Sequence, residues 1–362
     1  MRGEHPAIRV AVVGLGAVAE RLHLPACNRL PGVEVVAACE TDAARRARVG
    51  RRFGVRRLYS DAAVLFRDER PDLVVVATPP DSHRDLCLLA LEHGCHVLCE
   101  KPFVETAADA DRVIGAAEAK GLLLAVNNQY RFMDLYRVPG ERIASGEFGR
   151  LYLVQCWQQM FHPPSREGGW RAELGRATLF EFGTHALDLI CFFLDALPLS
   201  ISAHMPSLRP DERAADLLVQ ATLAFSGERL ATLLCNRISH APERYLEMRL
   251  DCERASLRLS LGGVARLGAE WRGRSRRPTA RLALARGGEA RVESCAGSRV
   301  LVREGREPYV TATARHIEAL AERIRDGRPG VESARRARDL LRLVEAGYES
   351  ARTGQTVKLA SP

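Results

Sequence analysis

The sequence predicts a two-part α/β protein: a doubly wound parallel sheet over residues 1–130, then an α+β domain built on an antiparallel sheet over 131–362. Three observations predict it. Up to about residue 130, short apolar runs alternate with helix-period segments, the pattern of parallel strands joined by crossover helices. Beyond that point period-2 segments dominate, as expected of strands with one covered and one open face. The length of 362 residues allows about two domains, each with a sizeable core.

Ile8 to Val13 is an apolar run interrupted only by Arg9, and it leads into Gly14-Leu15-Gly16-Ala17-Val18-Ala19. This is a G-x-G-x-x-A pattern placed after a strand and opening a helix. Gly14 permits the tight turn, Gly16 lets the backbone approach a pyrophosphate, and Ala19 lets helix and strand pack closely. The helix start then offers free N–H groups and a positive dipole end to the phosphates. The first domain is therefore expected to be a Rossmann domain that binds a dinucleotide.

A second strand, Val33 to Cys39, ends in Glu40, 24 residues beyond Gly16. A carboxylate there can accept from the adenosine ribose hydroxyls and repels a 2′-phosphate, which favours NAD. Arg45 and Arg46 follow closely and could reach such a phosphate, so NADP stays open. A third strand, Leu73 to Ala77, ends in Thr78-Pro79-Pro80, and Ser82 to His93 reads as the next crossover helix.

Cys95-His96-Val97-Leu98 then reads as a buried strand running into Cys99-Glu100-Lys101-Pro102. Pro102 keeps Lys101 out of the helical region, so the chain leaves the strand extended and turns. A residue just past the carboxyl end of a parallel strand faces the ligand crevice. The chain has 53 Lys+Arg, yet lysine stands only at Lys101, Lys120 and Lys358. A lysine kept at this point in so arginine-rich a chain reads as chemical, because an ammonium pKa can be tuned where a guanidinium cannot. Thr106 and Asp109 have capping-box spacing and open a helix ending near Gly121. Leu122 to Val126 is the next strand, leading into Asn127-Asn128-Gln129-Tyr130-Arg131. His83, Cys87, His93, Cys95, His96 and Cys99 fall within 17 residues, but they lack finger spacing and no metal site is expected.

In the second domain Tyr136 to Gly146 reads as a helix. Strands follow at Leu151 to Gln159, Leu217 to Phe225, Leu230 to Arg237, Tyr245 to Cys252 and Ala255 to Leu261. Helices are expected over Leu179 to Leu194, Ala312 to Asp326 and Ser333 to Ser350, with Thr356 to Leu359 returning as an edge strand. A sheet covered on one face leaves the other exposed, so a homodimer or homotetramer joined sheet to sheet is expected. On the first of these helices Glu181 and His185 are four apart and Asp188 three further on, which puts a carboxylate beside an imidazole on one face. Such a carboxylate can orient the ring and hold its pKa near the working range.

The totals exclude several classes. The net charge of +8 invites a nucleic-acid reading, but eight Arg against two Glu lie between Arg266 and Arg291, and no recognition helix or aromatic platform accompanies them. That stretch is expected to be a solvated hairpin or insertion. Most of the ten cysteines sit inside apolar runs, as small buried hydrophobes. With no signal peptide and no apolar run of 18 residues, the expected location is the cytoplasm, with reduced thiols and no membrane partner.

Together the fingerprint, His96-Val97-Leu98-Cys99-Glu100-Lys101-Pro102, Arg131-Phe132, Gly169-Trp170-Arg171, the Glu181–Asp188 segment and the tail Ser350-Ala351-Arg352-Thr353-Gly354 resemble the Gfo/Idh/MocA oxidoreductases. The family is named for glucose–fructose oxidoreductase and inositol dehydrogenase, and the resemblance covers nearly the whole chain. It implies a large open antiparallel sheet in the second domain and a substrate bound between the domains at the nicotinamide. The activity it implies is hydride transfer between NAD(P) and a secondary alcohol or ketone of a sugar, nucleotide sugar or cyclitol. Lys101, His185 and Glu181 would be catalytic: His185 the acid–base, Lys101 the donor to the reacting oxygen, Glu181 the residue orienting His185 or binding a neighbouring hydroxyl. Gly14, Gly16, Ala17, Val18, Glu40, Thr78, Pro79, His83, Glu100, Lys101 and Asn127 are the expected cofactor residues. Arg131, Trp157 and Arg171, with Tyr130, would line the substrate site beside Lys101, Glu181 and His185. Two features depart from the family pattern. Glu181 stands where Asp is usual, moving the carboxylate out by ~1.5 Å, and Gly175-Arg176-Ala177 replaces a triple-glycine loop. The superfamily also contains NAD-dependent glycosidases that oxidise a sugar transiently, and non-catalytic dinucleotide-binding regulators; both stay open as alternatives.

Overall fold

The computed structural model describes residues 6–162, 170, 176–208, 216–240, 245–262, 268–269, 280–281, 287–295 and 297–359. The chain divides into two compact units, each discontinuous in sequence: Met1–Phe132 with Tyr309–Arg342, and Met133–Pro308 with Leu343–Pro362.

In the first unit the strands are β1 (Ile8–Val13), β2 (Val33–Cys39), β3 (Arg57–Tyr59), β4 (Leu73–Val76), β5 (His96–Cys99) and β6 (Leu124–Val126). The helices are α1 (residues 17–27), α2 (Ala43–Phe53), α3 (Ala62–Glu69), α4 (His83–Glu92) and α5 (Ala107–Ala119). All six strands run parallel in the order β3-β2-β1-β4-β5-β6, the doubly wound arrangement expected. Strand order reverses between β1 and β4. The register is what matters for function: Val13 pairs with both Cys39 and Val76, Val76 with Cys99, and Cys99 with Val126. Five strands thus end level, and the residues that follow them emerge from one carboxyl edge.

The segment α2–β3–α3 has no counterpart in the sequence reading. β3 is a three-residue edge strand that opens on an exposed arginine, too short to carry a period. A second difference concerns α8 (Pro308–Arg325), which was expected to belong to the second domain. Its apolar face, Val310, Ala314, Ile317, Leu320 and Ala321, lies in the same core as Val10, Val12, Leu73 and Leu98. Burying side chains such as Ile317 and Leu320 is worth ~1.5–3 kcal/mol each, which ties this helix to the first unit. The following loop and the first turn of the next helix close the open side of β6: Gly330 O accepts from Leu124 N–H at 3.0 Å, and Ser333 Oγ accepts from Val126 N–H at 3.1 Å. A row of unpaired backbone groups is thereby covered.

The second unit contains α6 (Asp134–Ala144), β7 (Leu151–Gln159), α7 (Thr184–Leu194), β8 (Ser200–His204), β9 (Leu218–Phe225), β10 (Arg229–Asn236), β11 (Leu246–Cys252) and β12 (Ser256–Leu261). A short ladder, β13 (Gly268–Ala269) with β14 (Ala280–Arg281), precedes β15 (Gly288–Ser294) and β16 (Gly297–Arg303). The last part of α9 (Glu332–Thr353) and β17 (Val357–Lys358) complete it. Among the described residues nine strands form one sheet, in the order β16-β15-β12-β11-β7-β10-β9-β8-β17. Every pair is antiparallel except β7 with β10. The expected return of the C-terminus as an edge strand is observed, Val357 pairing with Ile201. β8, β15 and β16 were not anticipated.

Alternation along the strands sorts the two faces. Val154, Cys156 and Gln158 on β7, and Ala231, Leu233 and Cys235 on β10, are buried. α7 packs on that side, with the backbone at Gly183 close enough that a Cβ would stand 3.6 Å from Cys235 Sγ. The opposite face carries Gln155, Trp157, Thr232, Glu247, Arg249 and Arg258, all partly or fully exposed. Most of the arginine-rich stretch 266–291 lies outside the described residues.

Candidate active site

The carboxyl edge of the first sheet gathers the residues singled out from the sequence. Gly14 leaves β1 with φ +88°, and a Cβ there would meet Thr78 Cγ2 at 2.7 Å and Ala77 O at 2.8 Å. Only glycine lets the β1 and β4 loops lie so close. Gly16 is the opposite case: a Cβ on it would have nothing within 4 Å, so the loop has an open side for a ligand to approach. α1 begins at once, with Glu20 N–H donating to Gly16 O at 3.1 Å, and Ala19–His23 is wound as a π-helix.

Glu40 bridges the glycine loop and the β2 loop. Its Oε2 accepts from Leu15 N–H at 3.0 Å and its Oε1 from Asp42 N–H at 3.0 Å. Arg45 lies 3.5 Å from the same carboxylate, and Arg46 donates to the carbonyls of Glu40 and Thr41. The two arginines are drawn to this loop and its charge. Ser82 donates to Thr78 Oγ1 at 2.7 Å, which fixes the β4 loop. His83 is fully buried, with Nε2 2.8 Å from Thr78 O and Nδ1 3.0 Å from Pro102 O. Burial pushes its pKa down against the pull of these carbonyls. Both ring nitrogens are spent on backbone carbonyls, which joins the Thr78 and Pro102 loops.

Behind Lys101 lies a polar chain that the sequence reading did not foresee. Glu100 is buried, and its Oε1 accepts from His23 Nε2 at 2.7 Å and from Asn127 Nδ2 at 2.7 Å. Its Oε2 accepts from Lys101 N–H at 3.1 Å. A carboxylate only accepts, so Nε2 of His23 carries the proton. Asn127 Oδ1 in turn accepts from His316 Nδ1 at 3.2 Å, and the His316 ring stacks on Phe132 at 4.4 Å. Burial alone would raise the Glu100 carboxyl; the His23 bond, Asn127 and the Lys101 charge outweigh it and hold the group below its usual range. Burial, His23 and Arg336 push His316 down to about 3, so this ring is neutral. The dinucleotide helix, the Lys101 turn and the returning helix α8 are thus joined through one buried anion. Arg131 and Tyr130 lie in the short turn Gln129–Phe132 that follows β6.

In the second unit the helix expected over 179–194 begins as a π-wound turn, Thr178–Gly183, and continues as α7. Glu181, His185 and Asp188 are all buried, and Thr184 Oγ1 donates to Glu181 O at 3.1 Å. Two further residues escaped the sequence reading. Arg237 is buried with its guanidinium 4.7 Å from the centroid of the Phe182 ring, and Asp216 holds the start of the helix. Trp157 is a correction. It lies between Cys156 and Gln158 on β7, whose side chains face α7, so it points to the open face and away from the helix of Glu181 and His185. It lines a groove there with Gln155, Gln159, Glu247, Arg249 and Arg258. Arg171 lies outside the described residues.

A doubly wound sheet with a ligand-open glycine loop, an acidic residue ending its second strand and a lysine at its carboxyl edge defines a dinucleotide-dependent oxidoreductase. Comparison with known proteins agrees. Residues 8–128 match the oxidoreductase family with an NAD-binding Rossmann fold, and residues 137–258 match the GFO/IDH/MocA C-terminal domain. The chain belongs to the Gfo/Idh/MocA family, as its motifs led us to expect, and is an NAD(P)-dependent oxidoreductase. It is 29% identical to a D-apiose dehydrogenase of Paraburkholderia graminis, over 97% of this chain and 89% of that protein. It is 31% identical to dTDP-3,4-didehydro-2,6-dideoxy-alpha-D-glucose 3-reductase of Saccharopolyspora spinosa, over 66% of this chain and 71% of that protein. Its fold matches an oxidoreductase from Agrobacterium radiobacter crystallised with NAD+, L-tartaric acid and magnesium, with TM-score 0.81, 22% identity and coverage of 97% and 98% of the two chains. No helix among the described residues is long and apolar enough to cross a membrane.

Proposed function

We propose that the protein transfers a hydride between NAD and a secondary alcohol or ketone of a sugar or cyclitol, with Lys101 and His185 acting on the one reacting oxygen. The observation that carries this reading is the position of Lys101. It leaves the carboxyl end of β5, level with the glycine loop, and its N–H is held by the buried Glu100 carboxylate. The names of the relatives support a carbohydrate substrate. The Gly14–Val18 loop, Glu40 and the Thr78-Pro79 loop would hold NAD, which would supply the hydride acceptor, while Asn127 stays behind them, bonded to Glu100 and His316. His185 takes the hydroxyl proton in oxidation and returns it in reduction, since an imidazole nitrogen can both accept and donate a proton. Lys101 hydrogen-bonds the same oxygen and stabilises its developing charge. Glu181 orients the imidazole or binds a neighbouring hydroxyl, and Arg131 lines the sugar site.

The test is NADH formation at 340 nm against free aldoses including D-apiose, methyl glycosides and inositols. Steady turnover with one of these classes is expected. Lys101→Arg keeps the charge but misplaces the donor, so it should bind NAD normally and lose at least roughly a hundredfold in kcat. His185→Ala should do the same, and the double variant should lose less than the product of the two. Near-normal turnover in Lys101→Arg removes Lys101 from the mechanism.

The open face of the nine-stranded sheet is where we place a second copy of the chain, and light scattering at micromolar concentration should give a dimer or tetramer mass. We also place the protein in the cytoplasm, since nine of its ten free cysteines are buried thiols. Thiol titration of denatured protein prepared without reductant should count all ten.

A further inference from the structure

The helix that carries Glu181 and His185 has no capping side chain of its own. Ala177 stands at its N-cap with only a methyl group, so the leading N–H groups need acceptors from elsewhere. Asp216 supplies them from 39 positions further along the chain. Its Oδ1 accepts from Ala177 N–H at 3.0 Å and its Oδ2 from Leu179 N–H at 2.9 Å. Oδ2 also accepts from the Tyr348 hydroxyl at 2.6 Å, and the carboxylate is buried. Tyr348 is itself fixed, because the Arg176 guanidinium lies over its ring at 5.4 Å and over the Phe180 ring at 5.8 Å. Burial and the Asp216 charge keep the Tyr348 hydroxyl protonated and donating. The negative charge also suits the positive end of the helix.

The anchor is transmitted along the backbone. Glu181 N–H donates to Ala177 O at 2.9 Å, and Thr184 Oγ1 donates to Glu181 O at 3.1 Å. Gly183 is pressed on Leu179, where a Cβ would stand 2.9 Å from Leu179 Cδ1. Moving Ala177 or Leu179 therefore moves the π-wound turn, and His185 with it. We infer that Asp216 is a positioning residue for the reaction: through Ala177 and Leu179 it sets the register of the turn that aims the Glu181 carboxylate and the His185 imidazole. This rests on the catalytic role proposed for His185.

The experiment reads His185 directly, without a substrate. In the full-length protein, labelled with 13C in its histidine rings, the His185 signal is assigned by its loss in His185→Gln. Asp216→Asn keeps the size of the side chain but turns an NH2 group on one of the two backbone donors. We expect the His185 ring signal to move while that of His316, in the other unit, stays. NAD affinity by fluorescence titration should remain within about twofold, and kcat on the sugar that wild type oxidises should fall roughly 10–100-fold with KM for NAD unchanged. Tyr348→Phe removes one donor to the carboxylate and leaves both helix bonds, so it should give a smaller shift; it carries the test if Asp216→Asn does not fold. A His185 signal unmoved in the folded variant, whatever its melting temperature, overturns the inference. Wild type that oxidises none of the sugars would instead count against the proposed substrate and leave the spectroscopic answer standing.

Discussion

Glu100→Gln isolates the buried anion behind Lys101. Glutamine keeps the length and one carbonyl oxygen but turns the other oxygen into a donor. If the remaining oxygen stays towards His23 and Asn127, the new NH2 faces the Lys101 N–H, donor against donor. If the amide turns round, two donors are left facing it, which is worse. The first arrangement removes the charge from two hydrogen bonds, about 1 kcal/mol each, and strands one partly buried N–H at about 1–3 kcal/mol. The total of roughly 3–5 kcal/mol matches the loss on breaking a buried pair, and for a unit of this size it lowers the melting temperature by on the order of 10 °C. Calorimetry at pH 7 measures it. The sign with pH follows from the depressed carboxyl: its contribution is full above the ordinary value of 4.5 and is lost as pH falls through the lower folded value. The gap between wild type and variant should therefore close in acid. A gap under about 2 °C at pH 7, or one that widens in acid, would show that the chain from His23 to His316 anchors nothing.

Glu40→Ser should weaken NAD binding and narrow the difference from NADP in fluorescence titration, because it removes the carboxylate that repels a 2′-phosphate; wild type preferring NADP would contradict this. His316 offers a second pH test. Its folded pKa of about 3 lies well below the ordinary 6.5, so unfolding takes up a proton and stability drops as pH falls from about 6.5 towards 3. His316→Gln, which keeps a donor for Asn127, should flatten that slope in melts between pH 4.5 and 7 (roughly the range before general acid unfolding). An unchanged slope would mean that another group sets it.

The parallel half was legible because its signals are local. A glycine pair after an apolar run, an acid at the end of the next strand and a lysine before proline each fit within a few residues. What was not legible acts at a distance. His23 reaches Glu100 across 77 positions, Ala177 reaches Asp216 across 39 and Asn127 reaches His316 across 189. No window of sequence contains both partners. Trp157 shows a different limit: period-2 alternation says that neighbours on β7 face opposite ways, but not which face the helices will cover. α8 is similar, since its apolar stripe announced a buried face without naming the sheet that buries it.

That last helix also bears on how the protein is made. The first unit needs Val310, Ala314, Ile317 and Leu320 in its core and Gly330 and Ser333 along β6, yet all of Met133–Pro308 is synthesised in between. At ~5–20 residues per second, the ribosome holds the nucleotide-binding half for roughly 10–35 seconds with an apolar bed and a strand edge uncovered. Such surfaces recruit chaperones or neighbouring nascent chains. A gene fragment ending at residue 132 encodes every glycine of the cofactor loop and lacks part of the core that holds it in place.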